Sequence, residues 1–214
     1  MEANRNRRNE FLAKKVMKGL ESRNMKAYYA ASKEEALKLA LDLIPEGSSC
    51  GWGGSVSIDE IGLKDAVKNG NYTVFDRDGK PFEEQLQIYY KILSGSDWFL
   101  ASANAITEDG ILVNIDGNAN RVAAIAFGPK HVLFIVGMNK VCRDVDSAVA
   151  RARNEAATIN NQRFVGTGDT PCRLTGSCAD CKSPATICCQ FLITRYSKFA
   201  DRIHVILVND DLGF

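Results

Sequence analysis

Residues 101–140 read ASANAITEDGILVNIDGNANRVAAIAFGPKHVLFIVGMNK. The segment predicts a strand ending near Ala101, a turn at Thr107-Glu108-Asp109-Gly110 and a strand over Ile111–Ile115. A short helix follows from about Arg121 to Phe127, capped near Asn120, and then an apolar strand over His131–Val136. Strands that are apolar throughout, separated by helical segments, belong to sheets buried on both faces. The polar residues collect at the connections: Asn104, Glu108, Asp109, Asn114, Asp116, Asn118, Asn120 and Arg121, with Asn139 and Lys140 after the last strand.

The flanking sequence extends the alternation. Upstream, Ala3–Met25 reads as an amphipathic helix bearing Phe11, Val16, Met17 and Leu20, and Lys26–Ala30 as a strand. Ser32 and Glu35 form a capping box that opens a helix ended by Pro45 and Gly47. A glycine-rich turn, Ser49-Cys50-Gly51-Trp52-Gly53-Gly54-Ser55, leads to a second capping box, Ser57 with Glu60, and a helix to about Gly70. A strand over Tyr72–Phe75, a helix opened by Pro81 and a buried strand over Asp97–Ala101 follow. Downstream, Asp144 caps a helix to about Asn160, and Ile203–Val208 is a last strand. The pattern predicts an α/β domain with a mostly parallel, doubly wound sheet. Residues 1–25 form an N-terminal helix, able to pack on its own domain or on a second copy. The α/β domain takes residues 26–214, with a cysteine-rich segment at 170–190.

Composition bounds the function. The chain has 214 residues, with 27 Lys plus Arg against 26 Asp plus Glu, and a net charge of +1. That balance argues against a global electrostatic grip on nucleic acid or an anionic membrane. No apolar run reaches the ~20 residues of a membrane span, and the first residues lack a secretory core. The expectation is a cytoplasmic protein without membrane insertion.

In doubly wound sheets ligands bind beyond the C-terminal strand ends, at a switch point. The turn Gly51, Gly53, Gly54 and Ser55 permits close backbone approach to an anion. Its spacing matches neither the dinucleotide nor the P-loop fingerprint, and an ordinary βα turn is the alternative. Asn104, Asn114, Asp116, Asn118, Arg121 and Lys140 are candidates for the same crevice, with Arg121 and Lys140 as anion ligands. Glu108 or Asp109 is the candidate base, if burial raises its pKa; turn and cap roles are the alternative for these residues. His131 and His204 fall in apolar strands and read as structural.

Cysteine usage is uneven. Cys50 and Cys142 stand alone and read as small buried hydrophobes, whereas Cys172, Cys178, Cys181, Cys188 and Cys189 crowd together. An odd count without a leader is no disulfide framework. The segment can supply four thiolates to a tetrahedral zinc or an iron–sulfur cluster. The candidate set is Cys172, Cys178 and Cys181, with Cys188 or Cys189 as the fourth. No histidine lies among them, so a zinc site would be all-cysteine. A metal-free form is the remaining alternative.

Three strings, GWGGSVSIDEIGL at 51–63, TEDGILVNIDGNANRVAAIAFGPKHVLFIVGMNKV at 107–141 and TPCRLTGSCADCKSP at 170–184, resemble the LUD (lactate utilisation, DUF162) family, which includes LutC/YkgG-like proteins. The resemblance implies a fold like that of ribose-5-phosphate isomerase, glucosamine-6-phosphate deaminase and CoA transferases. It implies a lactate-utilisation protein, a subunit of an L-lactate-oxidising (lactate dehydrogenase, oxidoreductase) electron-transfer system. Its partners would be iron–sulfur lactate-utilisation subunits and a small anionic metabolite. The same setting favours an iron–sulfur cluster over zinc as the metal-binding group. Residues 102–123 also resemble a sugar-phosphate region of methylthioribose-phosphate isomerases, with Asn104 in place of the expected Asp and Ile115 in place of Lys. Two other readings stand beside the first. One is a stand-alone enzyme on a sugar phosphate or CoA ester, with Glu108 or Asp109 catalytic and Gly53, Gly54 and Arg121 on the phosphate. The other is a non-catalytic regulatory or scaffold subunit with a structural metal.

Overall fold

The computed structural model describes residues 2–164, 166 and 168–214. Among the described residues, ten strands form two sheets: β1 (Lys26–Ala30), β2 (Ser49–Trp52), β3 (Thr73–Phe75), β4 (Trp98–Ala101), β5 (Ala105–Thr107), β6 (Leu112–Asp116), β7 (His131–Gly137), β8 (Val141–Cys142), β9 (Gln190–Thr194) and β10 (Ile203–Val208). The larger sheet is parallel throughout, in the order β1-β10-β7-β4-β2-β3. From β2 the chain steps outward to β3, and from β4 it steps the other way through β7 to β10. The direction reverses between β2 and β4, which makes that junction the switch point.

Period-2 alternation divides the strand residues between two cores. Val132, Phe134 and Val136 of β7 and Val205 and Leu207 of β10 face one core, with Phe99 of β4. Leu133, Ile135, Ile206, Val208 and Leu100 face the other. Helices α1 (Glu2–Ser22), α2 (Lys33–Leu43), α3 (Val56–Glu60), α4 (Leu63–Asn69), α5 (Phe82–Gly95) and α6 (Asn120–Ala126) cover them. Ala13, Val16 and Leu20 of α1, Tyr89 and Ile92 of α5 and Ala124 and Ile125 of α6 seal the first face. Ala36, Ala40, Ile58, Leu63 and Val67 seal the second. The N-terminal helix therefore packs on its own domain, its Val16 and Leu20 fully buried and each contributing about 1.5–3 kcal/mol. Phe11 does not join them and lies on the surface beside Lys14 and Arg7.

The expected single parallel sheet has a companion. β5 and β6 form a hairpin, β8 adds to β5 in parallel and β9 adds to β6 antiparallel. Helix α7 (Val145–Arg151) packs Ala148 against Ala105, Val113 and Ile115 of this sheet. It continues as a π-helical segment (Ala152–Ala157) into α8 (Thr158–Asn161), and a short α9 (Pro171–Thr175) follows. β9 alternates half-buried and exposed residues, a weak apolar signal beside the wholly buried β7 and β10.

The caps at Ser32 and Asp144 form as expected. The Ser57–Glu60 box does not: the chain enters α3 two residues earlier, at Ser55, and Ser57 lies buried inside the helix. The start of α6 is likewise set by Ala119 in a left-handed conformation rather than by the Asn120 side chain.

Contact of α1 with the β5–β6 turn is backbone on backbone. A Cβ on Gly19 would strike the main chain of Asp109, and one on Gly110 (φ +86°) the main chain of Leu20. Gly110→Ala should therefore cost about 1–3 kcal/mol through overpacking, read as a lowered urea midpoint with unchanged m.

Candidate functional site

The C-terminal ends of β2, β4 and β7 deliver the site. After β2, a Cβ on Gly53 would lie 3.5 Å from the Arg121 stem. One on Gly54 would lie 3.5 Å from a terminal nitrogen of Arg77 and 3.7 Å from one of Arg163. Ser55 is buried beside them, and its hydroxyl has no hydrogen-bond partner among the described residues. After β4 comes Ser102, and after β7 comes Lys140, whose amine donates to Ser57 Oγ (2.9 Å) and Ser102 Oγ (3.0 Å). Burial pushes the Lys140 pKa down to about 7, with Arg151 and Arg121 adding to the effect.

Arg121 and its carboxylate neighbour are built by α6. Asp116 Oδ2 accepts the backbone N–H groups of Arg121 (2.8 Å) and Val122 (3.0 Å), so its charge is spent on the helix start. The Arg121 guanidinium donates to Asn104 Oδ1 (3.1 Å) and to the Ile115 carbonyl. Asn104 Oδ1 also accepts from Ile115 N (2.9 Å), which fixes the loop after β4 against β6. Asn114 is wholly buried and donates to the Ser102 carbonyl (3.0 Å), while its own Oδ1 is unpartnered. Asn118 donates its N–H to Asp116 Oδ1 (3.3 Å).

These residues surround two connected spaces. The inner crevice is lined by Gly54, Ser55, Ser57, Ser102, Asn104, Arg121, Lys140 and Arg163. Gly54, Arg121, Asn160 and Arg163 also line a larger cleft of about 530 Å³, whose wall includes Arg77, Tyr89, Asp116 and Asn118. With Asp116 committed to capping, the lining is cationic and suits an anion. Of the expected ligands, Gly54, Ser55, Asn104, Asp116, Asn118, Arg121 and Lys140 converge here. Gly53 lies behind Arg121. Gly51 does not take part: it sits within β2, where a Cβ would approach Ile92 of α5 to 2.5 Å, so it serves packing. Asn114 supports Ser102 from behind.

Glu108 and Asp109 are outside the crevice. They occupy the β5–β6 turn, where Glu108 pairs with Lys15 and Asp109 with Arg23, both reached from α1. The Thr107 hydroxyl, aided by Arg23, holds the Asp109 carboxyl below its ordinary range, which makes it a poor base. These carboxylates anchor α1. Arg77, Ser102 and Arg163 were not singled out by sequence, since nothing in their local pattern separates them from turn and loop residues. His131 stacks on Trp98 and His204 meets it at a tilt, at the N-terminal strand ends, and both contact the Asp201 carbonyl, opposite the crevice.

The cysteine-rich segment forms a second cavity. Cys172, Cys178, Cys181 and Cys188 line it together with Arg153, Ala157, Thr158 and Asn161 from the π-helical segment and α8. Asn161 Nδ2 donates to Cys172 Sγ (3.1 Å), and Arg153 approaches Cys178 Sγ at 3.7 Å. Burial, reinforced by the other three thiols, raises the Cys188 pKa to about 11. Cys189 points away and is exposed, its Sγ near the Thr186 carbonyl (3.8 Å). All seven thiols are free. Among the described residues no three His, Cys, Asp or Glu side chains are drawn to metal-ligating distance. The donor set suits a soft metal; its four sulfurs share one cavity without having closed on a common point.

A parallel α/β sheet with a cationic crevice at its switch point and a satellite thiol cavity defines an α/β domain of the doubly wound class. The model of the LUD domain family matches residues 13–208, and the chain belongs to that family. Among solved structures it is similar to a DUF162 family protein from Deinococcus radiodurans, at 11% identity, over 94% of this chain and 98% of that one, with a TM-score of 0.51. That likeness supports the fold alone. None of the curated proteins matches the sequence. No helix among the described residues is long and apolar enough to cross a membrane.

Thiol chemistry provides a check on the placement. Cys50 is fully buried and its pKa is pushed up to about 12 by that burial, while Cys189 is exposed. Iodoacetamide near neutral pH should label Cys189 first and Cys50 only on unfolding, as read by peptide mass mapping.

Proposed function

We propose that this chain is a lactate-utilisation protein, a subunit of an L-lactate-oxidising electron-transfer system. The crevice would hold a small anionic metabolite, and Cys172, Cys178, Cys181 and Cys188 would hold an iron–sulfur group. Adjacency carries the reading: Thr186 and Ile187 belong to the walls of both the larger cleft and the thiol cavity. A carboxylate in the cleft and a redox group among the thiols would thus be separated by one segment of chain. Such a group supplies one-electron transfer when bound. The chain's own residues do the rest. Arg121 and Arg163 bind and orient the carboxylate, and Asn161 and Arg153 offer N–H groups to the sulfurs of Cys172 and Cys178. Iron–sulfur subunits of the same pathway are the proposed partners.

The size of the cleft favours a second reading. About 530 Å³ exceeds what lactate fills, and Arg77 and Arg163 both approach Gly54. A sugar phosphate or CoA ester would use that space, with Gly54 and the arginines on phosphate and with Glu108 and Asp109 taking no part.

Anaerobic reconstitution with ferrous iron and sulfide tests the first reading. The expected result is a brown protein with stoichiometric iron. Cys188→Ala should lose the colour and Cys189→Ala should keep it. A protein that stays colourless removes the iron–sulfur assignment, and one that retains zinc instead supports a scaffold role with a structural metal. In a thermal-shift comparison, stabilisation by L-lactate and not by sugar phosphates or CoA esters favours the first reading over the second.

A further inference from the structure

Lys140 is the buried group that anion binding alone leaves unexplained. Its residue is 3% exposed, yet no ion pair to it occurs among the described residues. Its two hydrogen-bond partners are uncharged hydroxyls, Ser57 Oγ and Ser102 Oγ. The charged groups acting on it are Arg151 and Arg121, which disfavour the ammonium, and Glu60, whose weaker attraction favours it. Glu60 is itself engaged by the N–H of Gly213 (2.8 Å). A purely structural position would be better served by an apolar side chain, because burying an amine without a counter-ion is costly.

The surroundings indicate what the amine meets. Lys140 lines the inner crevice at the C-terminal strand ends, together with Arg121, Arg163 and the unpartnered hydroxyl of Ser55. A carboxylate held by the guanidinium groups would carry its neighbouring carbon toward the amine. Gly213 and Phe214 belong to the wall of the same crevice, and a Cβ on Gly213 would come within 2.8 Å of Ser57 Oγ and 3.4 Å of the amine, so the missing side chain leaves the amine room on that side.

We propose that Lys140 is a carbonyl-condensing lysine that forms an imine with a small 2-oxo carboxylate bound in the crevice. The amine nitrogen bonds to the keto carbon, giving a carbinolamine. The carbonyl oxygen then leaves as water, taking up the two protons that the nitrogen gives up, with Ser57 and Ser102 positioned to pass them. No oxidant or reductant is needed. A proton taken up from solvent converts the imine into an iminium, which acidifies the adjacent C–H bond so that it exchanges its proton with solvent. A lysine desolvated beside other cations is a known route to an amine that is nucleophilic near neutral pH. The Lys140 pKa of about 7 places much of the amine in its neutral form there. The proposal rests on the crevice being a carboxylate site; it is independent of any metal at the thiols.

Incubation of the full chain with pyruvate and sodium cyanoborohydride, followed by peptide mapping, tests it. The expected result is one reduced pyruvoyl adduct on the peptide bearing Lys140, with a trapping rate that rises with pH and levels off above about 7. Lys140→Arg should abolish that adduct, and Ser102→Ala should slow its formation severalfold. In heavy water, the wild-type protein should speed loss of the pyruvate methyl proton signal, and Lys140→Arg should not. Absence of the adduct, or its even spread over surface lysines, overturns the proposal. A thermal shift with L-lactate in the same preparation separates the two claims: a shift without an adduct leaves the carboxylate site standing and refutes the imine alone.

Discussion

Covering both faces of β4, β7 and β10 is the constraint on which everything else depends. These strands are buried along almost their whole length. Such a sheet is stable only when helices remove both faces from water. Parallel pairing then requires each strand to be followed by a crossover, so all strands end on one side. The polar residues that terminate them (Gly54 and Ser55, Ser102, Lys140) are thereby brought to one place although they are far apart in sequence. The hydrophobic requirement thus assembles the polar crevice.

Within the crevice, charge is distributed unequally. Asp116 is consumed by the start of α6, and Glu108 and Asp109 are consumed in fastening α1. The arginines keep their positive charge toward the cleft, a lining that suits an anion. The smaller sheet adds a second layer: β9 pairs with β6, and the segment leading into β9 carries the wall shared by the cleft and the thiol cavity. The π-helical segment brings Arg153 to that same cavity, and α8 brings Asn161; π-bulges of this kind are frequent at functional sites.

Much of this was legible in the sequence. Ile203–Val208 and His131–Val136 are apolar runs short enough to be strands, and Ser32 and Asp144 carry cap chemistry that acts locally. Gly54, Ser55, Arg121 and Lys140 were singled out because turn glycines and cations beyond strand ends have a local physical signature. Ser57 misled because a serine three residues before a glutamate looks the same whether it caps a helix or hides inside one; only the burial of α3 against the sheet distinguishes them. Glu108 and Asp109 misled because a carboxylate in a turn gives no sign of the basic residues opposite it.

The sequence by itself determined the α/β class, the order of its main elements and the clustering of five cysteines, because periodicity, caps and residue spacing are short-range properties. Tertiary structure alone decided three things. It placed Lys140 between two serines with no ion pair among the described residues, it put Cys188 rather than Cys189 in the cavity with the other thiols, and it bound α1 to the β5–β6 turn through Gly19 and Gly110. Each depends on contacts between segments remote in the chain, and those contacts exist only after the two faces of the sheet have been closed.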